Sequence, residues 1–192
     1  FVIGLDAAEG KEGCILNINR VGDPAWTIES EPWQNYQAKA PITNFVLPDG
    51  VVLKDFDISP KEQIAISQIT ALSVVDLLSR HEVAAKIKLP NDIYVGNKKI
   101  CGILIENSIC SNRLRWSIVG IGINVNQTTF PSSLPNPTSI LLEKSNPELD
   151  LTQQLAKFHE IYSAYYTKYL SSRNESALTE VDYLFKSKLI SL

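Results

Sequence analysis

The stretch Lys88–Asn126, KLPNDIYVGNKKICGILIENSICSNRLRWSIVGIGINVN, decides how this chain is read. Three punctuated segments follow one another in it. They are Lys88-Leu89-Pro90-Asn91-Asp92, then Lys98-Lys99-Ile100-Cys101-Gly102-Ile103-Leu104-Ile105-Glu106, then Gly120-Ile121-Gly122-Ile123-Asn124-Val125-Asn126. Pro90 restricts Leu89 to an extended conformation and ends the preceding element. Asn91 and Asp92 then stand at the lip of a hairpin, where short polar side chains can hydrogen-bond the turn backbone. Tyr94–Val95 and Lys99–Glu106 read as two strands joined by Gly96-Asn97, a pair able to supply the positive φ of a tight hairpin. Arg115–Val125 is a third strand, rich in β-branched and aromatic residues.

Upstream, Cys14–Asn19 alternates apolar and polar residues and reads as a half-buried strand. Arg20–Asn35, with Gly22, Pro24 and Pro32, is loop-like. Thr43–Leu47 and Val51–Phe56 are short strand candidates around the turn at Pro48-Asp49-Gly50. Pro60 opens a helix at a favoured first-turn position, with Lys61-Glu62 at its start. Ile64, Ile66, Ile69, Leu72, Val75, Leu77 and Leu78 follow a period close to 3.6, so this helix is expected to pack on a sheet. Downstream, Thr152–Leu170 carries Leu155, Phe158, Ile161, Tyr162, Tyr165 and Tyr169 on one broad helical face. A shorter helix is expected from about Ala177 to Leu189. Strands and helices that do not strictly alternate predict an α+β fold, a mixed, largely antiparallel β-sheet flanked by helices.

Composition narrows the function classes. The chain has 192 residues, 44% hydrophobic and 20% charged, which suits an ordinary globular protein. A net charge of −3 argues against non-specific nucleic-acid binding, which requires a basic face. No apolar run approaches the ~20 residues of a membrane span, and no signal peptide or fixed-period repeat is found. Cys14, Cys101 and Cys110 lack paired spacing, which favours free thiols and a cytoplasmic setting over disulfides or a zinc site. Methionine is absent, even at position 1, which is Phe. The sequence is therefore expected to begin inside a longer protein or to omit segments.

The central stretch carries the candidate chemistry. A lysine that begins a strand is ordinarily a solvated edge charge. Lys99, however, leads into a nearly continuous apolar run broken by Gly102, and a strand glycine marks close approach of a ligand or backbone. A lysine at the mouth of such a strand can reach a carboxylate or an α-phosphate as a point charge. Alternation places Lys98 on the other side. Asn91 and Asp92 have two readings: turn formers, or a carboxylate that holds a magnesium ion or adenine near a nucleotide. Gly120-Ile121-Gly122 is not a dinucleotide fingerprint, since it lacks the third glycine and the following helix. The chain shows no Ser-His-Asp or Cys-His pattern, and His81 and His159, both isolated, are read as structural.

Taken together, the three segments resemble the catalytic core of biotin protein ligases, members of the biotin/lipoate ligase superfamily. The tail Phe130-Pro131 through Leu134-Pro135-Asn136-Pro137-Thr138-Ser139 fits the same family. The resemblance is strong over residues 60–142 and weaker outside them. It implies ATP-dependent activation of biotin to biotinyl-5′-AMP, with Mg²⁺, and transfer to a lysine of a biotin carboxyl carrier protein of acetyl-CoA carboxylase or a related system. It makes Lys99 the catalytic lysine, contacting the biotin carboxylate and the phosphate. Arg20, Gly22, Trp26, Lys88, Asn91, Asp92, Gly102, Gly120, Gly122 and Asn124 become the biotin/adenylate-binding residues, with Asp92 as the magnesium ligand. Arg20 and Trp26 would belong to a loop that orders over the ligand. Lys88 is expected to support the pocket wall.

Other family elements are not found. Residues 1–13 hold no Ser-Thr-Asn segment. Of the glycine- and arginine-rich biotin loop, only Arg20-Val21-Gly22-Asp23, Trp26 and Glu29-Ser30-Glu31-Pro32 resemble the far end. The small C-terminal β-barrel and the N-terminal helix-turn-helix of the family are not visible in this sequence and are expected to be absent or to lie outside it. The expected organisation is thus one catalytic domain over residues 1–192, monomeric or homodimeric, without DNA or membrane binding. Two alternatives stand beside it: a lipoate- or octanoate-protein ligase, and a non-catalytic homologue that binds biotin or nucleotide. Pro90 before Asn91, the Gly102–Glu106 run and Gly-Ile-Asn-Val-Asn favour biotin.

Overall fold

A computed structural model describes residues 2–5, 14–17, 63–110, 113–144, 148–171 and 174–190. The expected strands at Thr43–Leu47 and Val51–Phe56, the Arg20–Asn35 loop and the helix start at Pro60 lie outside them. The chain divides into two compact units, one of residues 1–60 and 104–122, the other of residues 61–103 and 123–192.

In the first unit, β1 (Val2–Leu5) pairs antiparallel with β2 (Cys14–Asn17), with Val2 opposite Asn17 and Leu5 opposite Cys14. On its other side β1 runs parallel to the strand Arg113–Ile123, with Gly4 opposite Gly120. Val119 and Ile121 of that strand are buried. This parallel pair makes the sheet mixed, and the fold is α+β as expected.

The second unit is built around α1 (Gln63–Arg80). Its buried set, which includes Ile66, Ile69, Leu72, Val75, Leu77 and Leu78, extends over most of the helix surface rather than one stripe. That follows from its neighbours: two later helices and two strands of the same unit all pack on it. Thr70 and Ser73 are tolerated inside because each hydroxyl donates to the carbonyl four residues back, at 2.6 Å. The helix stops where Glu82 takes a left-handed φ of 58° and the Val83 amide returns to the Leu78 carbonyl at 2.9 Å. A paired Glu82 to Ser79 bond completes this terminal motif.

Three antiparallel strands follow: β3 (Ala85–Lys88), β4 (Asp92–Val95) and β5 (Lys98–Cys110). β3 is an addition to the sequence reading. Its alternation, Ala-Lys-Ile-Lys, buries Ala85 and Ile87 and exposes both lysines, but four residues are too few for periodicity to stand out. β4 and β5 meet at a two-residue turn in which the positive φ, 59°, falls on Gly96. The Arg113–Ile123 strand, β6, begins two residues earlier than expected and ends before Asn124.

Beyond β6, a short helix α2 (Ile140–Lys144) was not anticipated. The expected Thr152–Leu170 helix is α3 (Leu151–Tyr165) continued by a π-helical turn over Tyr166–Ser171. Leu155, Phe158, Ile161, Tyr162 and Tyr169 are buried as the apolar face requires, and Leu170 joins them in the wider turn. The last helix, α4 (Glu175–Ser187), carries Val181 inward. His81 and Gln154 link the end of α1 to α3 at 2.6 Å, in line with a structural histidine.

The Asp150 carboxylate caps α3, accepting from the amides of Thr152 (2.8 Å) and Gln153 (3.2 Å). Asp150→Ala removes this acceptor from two otherwise unpaired donors and is expected to lower stability by about 1 kcal/mol. Denaturant unfolding of the two proteins checks it; an unchanged midpoint would make the cap dispensable.

Candidate functional site

The second unit brings four of the sequence-predicted residues together. The register sets Asp92 opposite Gly102 and Lys88 opposite Asp92, while Tyr94 lies opposite Lys99. Paired residues point to the same face, so Lys88, Asp92, Tyr94, Lys99 and Gly102 share one side of the three strands. A register shift between Ile93 and Tyr94 takes up one extra residue of β5, and without it Lys99 and Gly102, three apart, could not both lie on that face. The opposite face carries buried Ile87 and Ile93.

The Lys99 ammonium lies 2.7 Å from Oδ1 of Asp92, with the lysine side chain 42% and the carboxylate side chain 22% exposed. The pair therefore meets water and is open to an incoming ligand. Gly102 forms the floor beneath it. A Cβ there would sit 3.4 Å from Lys99 Nζ and 3.8 Å from Asp92 Oδ1. Asn91 secures the lip: its Nδ2 donates to the Ile103 carbonyl at 2.9 Å, and its own carbonyl accepts from the Ile103 amide at 2.8 Å. The Asn91 side chain thus bonds the neighbouring strand β5 rather than the turn backbone. The Lys88 ammonium lies 4.4 Å from the centre of the Tyr94 ring. Lys98, as alternation required, points elsewhere and bonds Glu143 at 3.1 Å.

Lys99 is also held through its backbone. Its amide donates to the Asn136 carbonyl and its carbonyl accepts from the Thr138 amide, both at 2.8 Å. Asn124 approaches the same segment, donating from Nδ2 to the Thr138 carbonyl at 2.9 Å and from its backbone amide to Ile100 at 2.9 Å. The Thr138 hydroxyl donates to Glu143 Oε1 at 2.6 Å. That bond, against the opposing effect of burial and with a lesser contribution from the Lys98 ammonium, holds the Glu143 carboxyl below the usual carboxylate range. Glu143 escaped the sequence reading, although Thr138-Ser139 followed by Ile-Leu-Leu-Glu has the look of a helix start. Ser139 indeed caps α2, its Oγ accepting from the Leu142 amide at 3.2 Å.

Gly120 and Gly122 are on β6 in the first unit, where a Cβ on Gly120 would lie 3.5 Å from the Leu104 carbonyl oxygen. Arg20, Gly22 and Trp26 lie outside the described residues. Among the described residues no group of three or more His, Cys, Asp or Glu could hold a metal ion. A magnesium ion that arrives with nucleotide phosphates needs only one or two protein carboxylates, and Asp92 beside Asn91 fits that lesser demand. No helix among the described residues is long and apolar enough to cross a membrane.

Chemically, this face offers the part-exposed ammonium of Lys99 beside one carboxylate, a second ammonium on Lys88, and an open floor. Such a set can neutralise a reacting anion and orient a cation. It contains no nucleophile.

Comparison with known proteins places this geometry in context. Residues 44–124 match the model of the biotin/lipoate A/B protein ligase family. The bifunctional ligase/repressor BirA of Bacillus spizizenii is 40% identical over 89 residues, 43% of this chain and 27% of that protein. Its Escherichia coli namesake is 26% identical over 92 residues, 47% of this chain and 29% of that protein. The matched part thus spans little more than a quarter of these curated relatives. The crystal structure of the biotin protein ligase from Aquifex aeolicus is similar with a TM-score of 0.56 at 28% identity, covering 69% of this chain and 58% of that one. The same enzyme in complex with biotin and ATP matches equally, over 70% of this chain and 56% of that one.

Proposed function

We propose that this chain, which carries a biotin protein ligase catalytic domain, condenses biotin with ATP to biotinyl-5′-AMP and pyrophosphate, then passes the biotinyl group to a lysine of a biotin carboxyl carrier protein. The observation that supports it is the Lys99–Asp92 pair above Gly102, set in the Lys98–Glu106 run. That run lies inside the family match, and a similar solved protein holds biotin and ATP.

The geometry suits this reaction for a physical reason. Attack of a carboxylate on the α-phosphorus brings two anions together and builds charge on the phosphoryl oxygens. Catalysis then consists mainly of positioning and charge neutralisation. The Lys99 ammonium can lie between the biotin carboxylate and the α-phosphate, lowering their mutual repulsion. Asp92 is its counter-ion when no ligand is present, and is the residue that would meet a magnesium ion carried by the nucleotide. Such an ion would add positive charge at the phosphates. Asn91 keeps the lip in place through Ile103. In the second step the carrier lysine attacks the biotinyl carbonyl of the mixed anhydride, forming an amide and releasing AMP. We further propose that Arg20, Gly22 and Trp26, with Gly120, Gly122 and Asn124, contribute to the ligand site.

The test is biotin-dependent exchange of labelled pyrophosphate into ATP, run in parallel with lipoate. Exchange is expected with biotin. Exchange with lipoate alone would keep the chemistry but overturn the substrate, and exchange with neither would leave a non-catalytic binder.

A further inference from the structure

The Lys99 side chain is part-exposed, and its backbone is clasped on the edge away from β4. Asn136 and Thr138 take both hydrogen-bonding groups of Lys99, and Lys99 and Pro137 form an isolated parallel bridge. Beyond this bridge and the backbone bonds of Ile140 and Leu141 to Asn124 and Val125, side chains hold the segment. Thr138 is 1% exposed and uses all of its polar groups. Its amide goes to Lys99, its carbonyl to Asn124 Nδ2, and its hydroxyl to Glu143. Glu143 is in turn anchored on α2, whose first turn is capped by Ser139.

We propose that Glu143, acting through Thr138, is a positioning residue that fixes the backbone of Lys99 for biotin activation. The inference rests on the reading of Lys99 given above. Its physical basis is that a buried hydroxyl tolerates loss of its acceptor poorly. Without Glu143 the buried Thr138 hydroxyl loses its acceptor, and a shift of residues 136–138 toward a new one moves both bonds to Lys99. A displacement of about 1 Å at a reacting group is enough to cost a large part of a positional rate advantage. Lys98, half exposed, also donates to Glu143 at 3.1 Å, but a surface pair adds little, and the bond to the Thr138 hydroxyl does not run through it.

The experiment has two readouts on the full chain. Glu143→Ala and Thr138→Val are expected to lower kcat of biotin-dependent pyrophosphate exchange roughly tenfold, the order of one lost charge-assisted hydrogen bond. KM should change little. Glu143→Gln and Thr138→Ser, which retain acceptor and donor, should recover most of the loss. In a Lys99→Ala background Glu143→Ala should have no further effect. The second readout is amide hydrogen exchange at Lys99 and Thr138, which should quicken in Glu143→Ala and Thr138→Val but not in the conservative variants. Additive losses with Lys99→Ala, or unchanged amide protection, overturn the proposal. If the wild type shows no biotin-dependent exchange, the functional reading fails, and amide protection alone decides whether Glu143 holds Lys99.

Discussion

Lys99→Ala is expected to slow biotin-dependent pyrophosphate exchange roughly ten- to a hundredfold, the value of a charge-assisted hydrogen bond to a reacting anion. The fold should survive. The lysine side chain is 42% exposed, so its removal leaves no cavity, and Asp92 keeps access to water once unpaired. Exposed ion pairs contribute little to stability in any case. Removing the ammonium acts instead where charge develops, on the α-phosphoryl group, so the loss should appear in kcat as well as in KM. Lys98→Ala is the control. Its ammonium goes to Glu143, off the Lys99–Asp92 face, and its loss should change exchange by no more than about twofold, in line with a surface pair. Exchange kinetics and thermal melts of the two variants decide the matter. Equal losses at both lysines would reduce Lys99 to one charge of a basic surface, and an unfolded Lys99→Ala protein would make it structural.

Which parts of this arrangement were legible in the residues follows from how local their causes are. The β4–β5 hairpin rests on Gly96 and a two-residue turn, and so could be read directly. The different environments of Lys98 and Lys99 followed from strand alternation, and the long buried helix from its apolar period. The contact of Lys99 with Asp92 was not legible. It needs an antiparallel register and an extra residue of β5 opposite Ile93 and Tyr94, and neither leaves a mark in composition. The clasp by Asn136, Thr138 and Glu143 is less local still, since nearly forty positions separate Thr138 from Lys99. β3 escaped because four residues give alternation too short a run, and its lysines look like surface charge. α1 shows the reverse error. Its stripe was read correctly from Ile66 to Leu78, although Ile64 is 62% exposed, and helices packed on several sides widened it. Local chemistry named the residues of the candidate site, and tertiary pairing determined which of them meet.

Gly102→Val should approach the effect of Lys99→Ala, again roughly ten- to a hundredfold, while the protein remains folded. The reason is space beneath the ion pair. A Cβ at this position meets Lys99 Nζ at 3.4 Å and Cε at 3.5 Å, ordinary contact distances, so Gly102→Ala should fit and retain most of the activity. Valine adds carbons about 1.5 Å beyond Cβ, directed at the space the ammonium and the Asp92 carboxylate occupy. One of the two must move. Stability should not suffer, because a β-branched residue suits a strand interior better than glycine, whose chain entropy disfavours it there. Activity and melting temperature are thus expected to part company, which is the signature of a lost site rather than a damaged fold. Combined with Lys99→Ala, the valine should cost little more, since the group it displaces is already gone. The alanine variant carries the sharpest information. If it is as inactive as valine, the open floor serves the ligand's own approach and not the lysine. If valine keeps full exchange, the space under the pair is incidental, and Lys99 can do its work from elsewhere on this face.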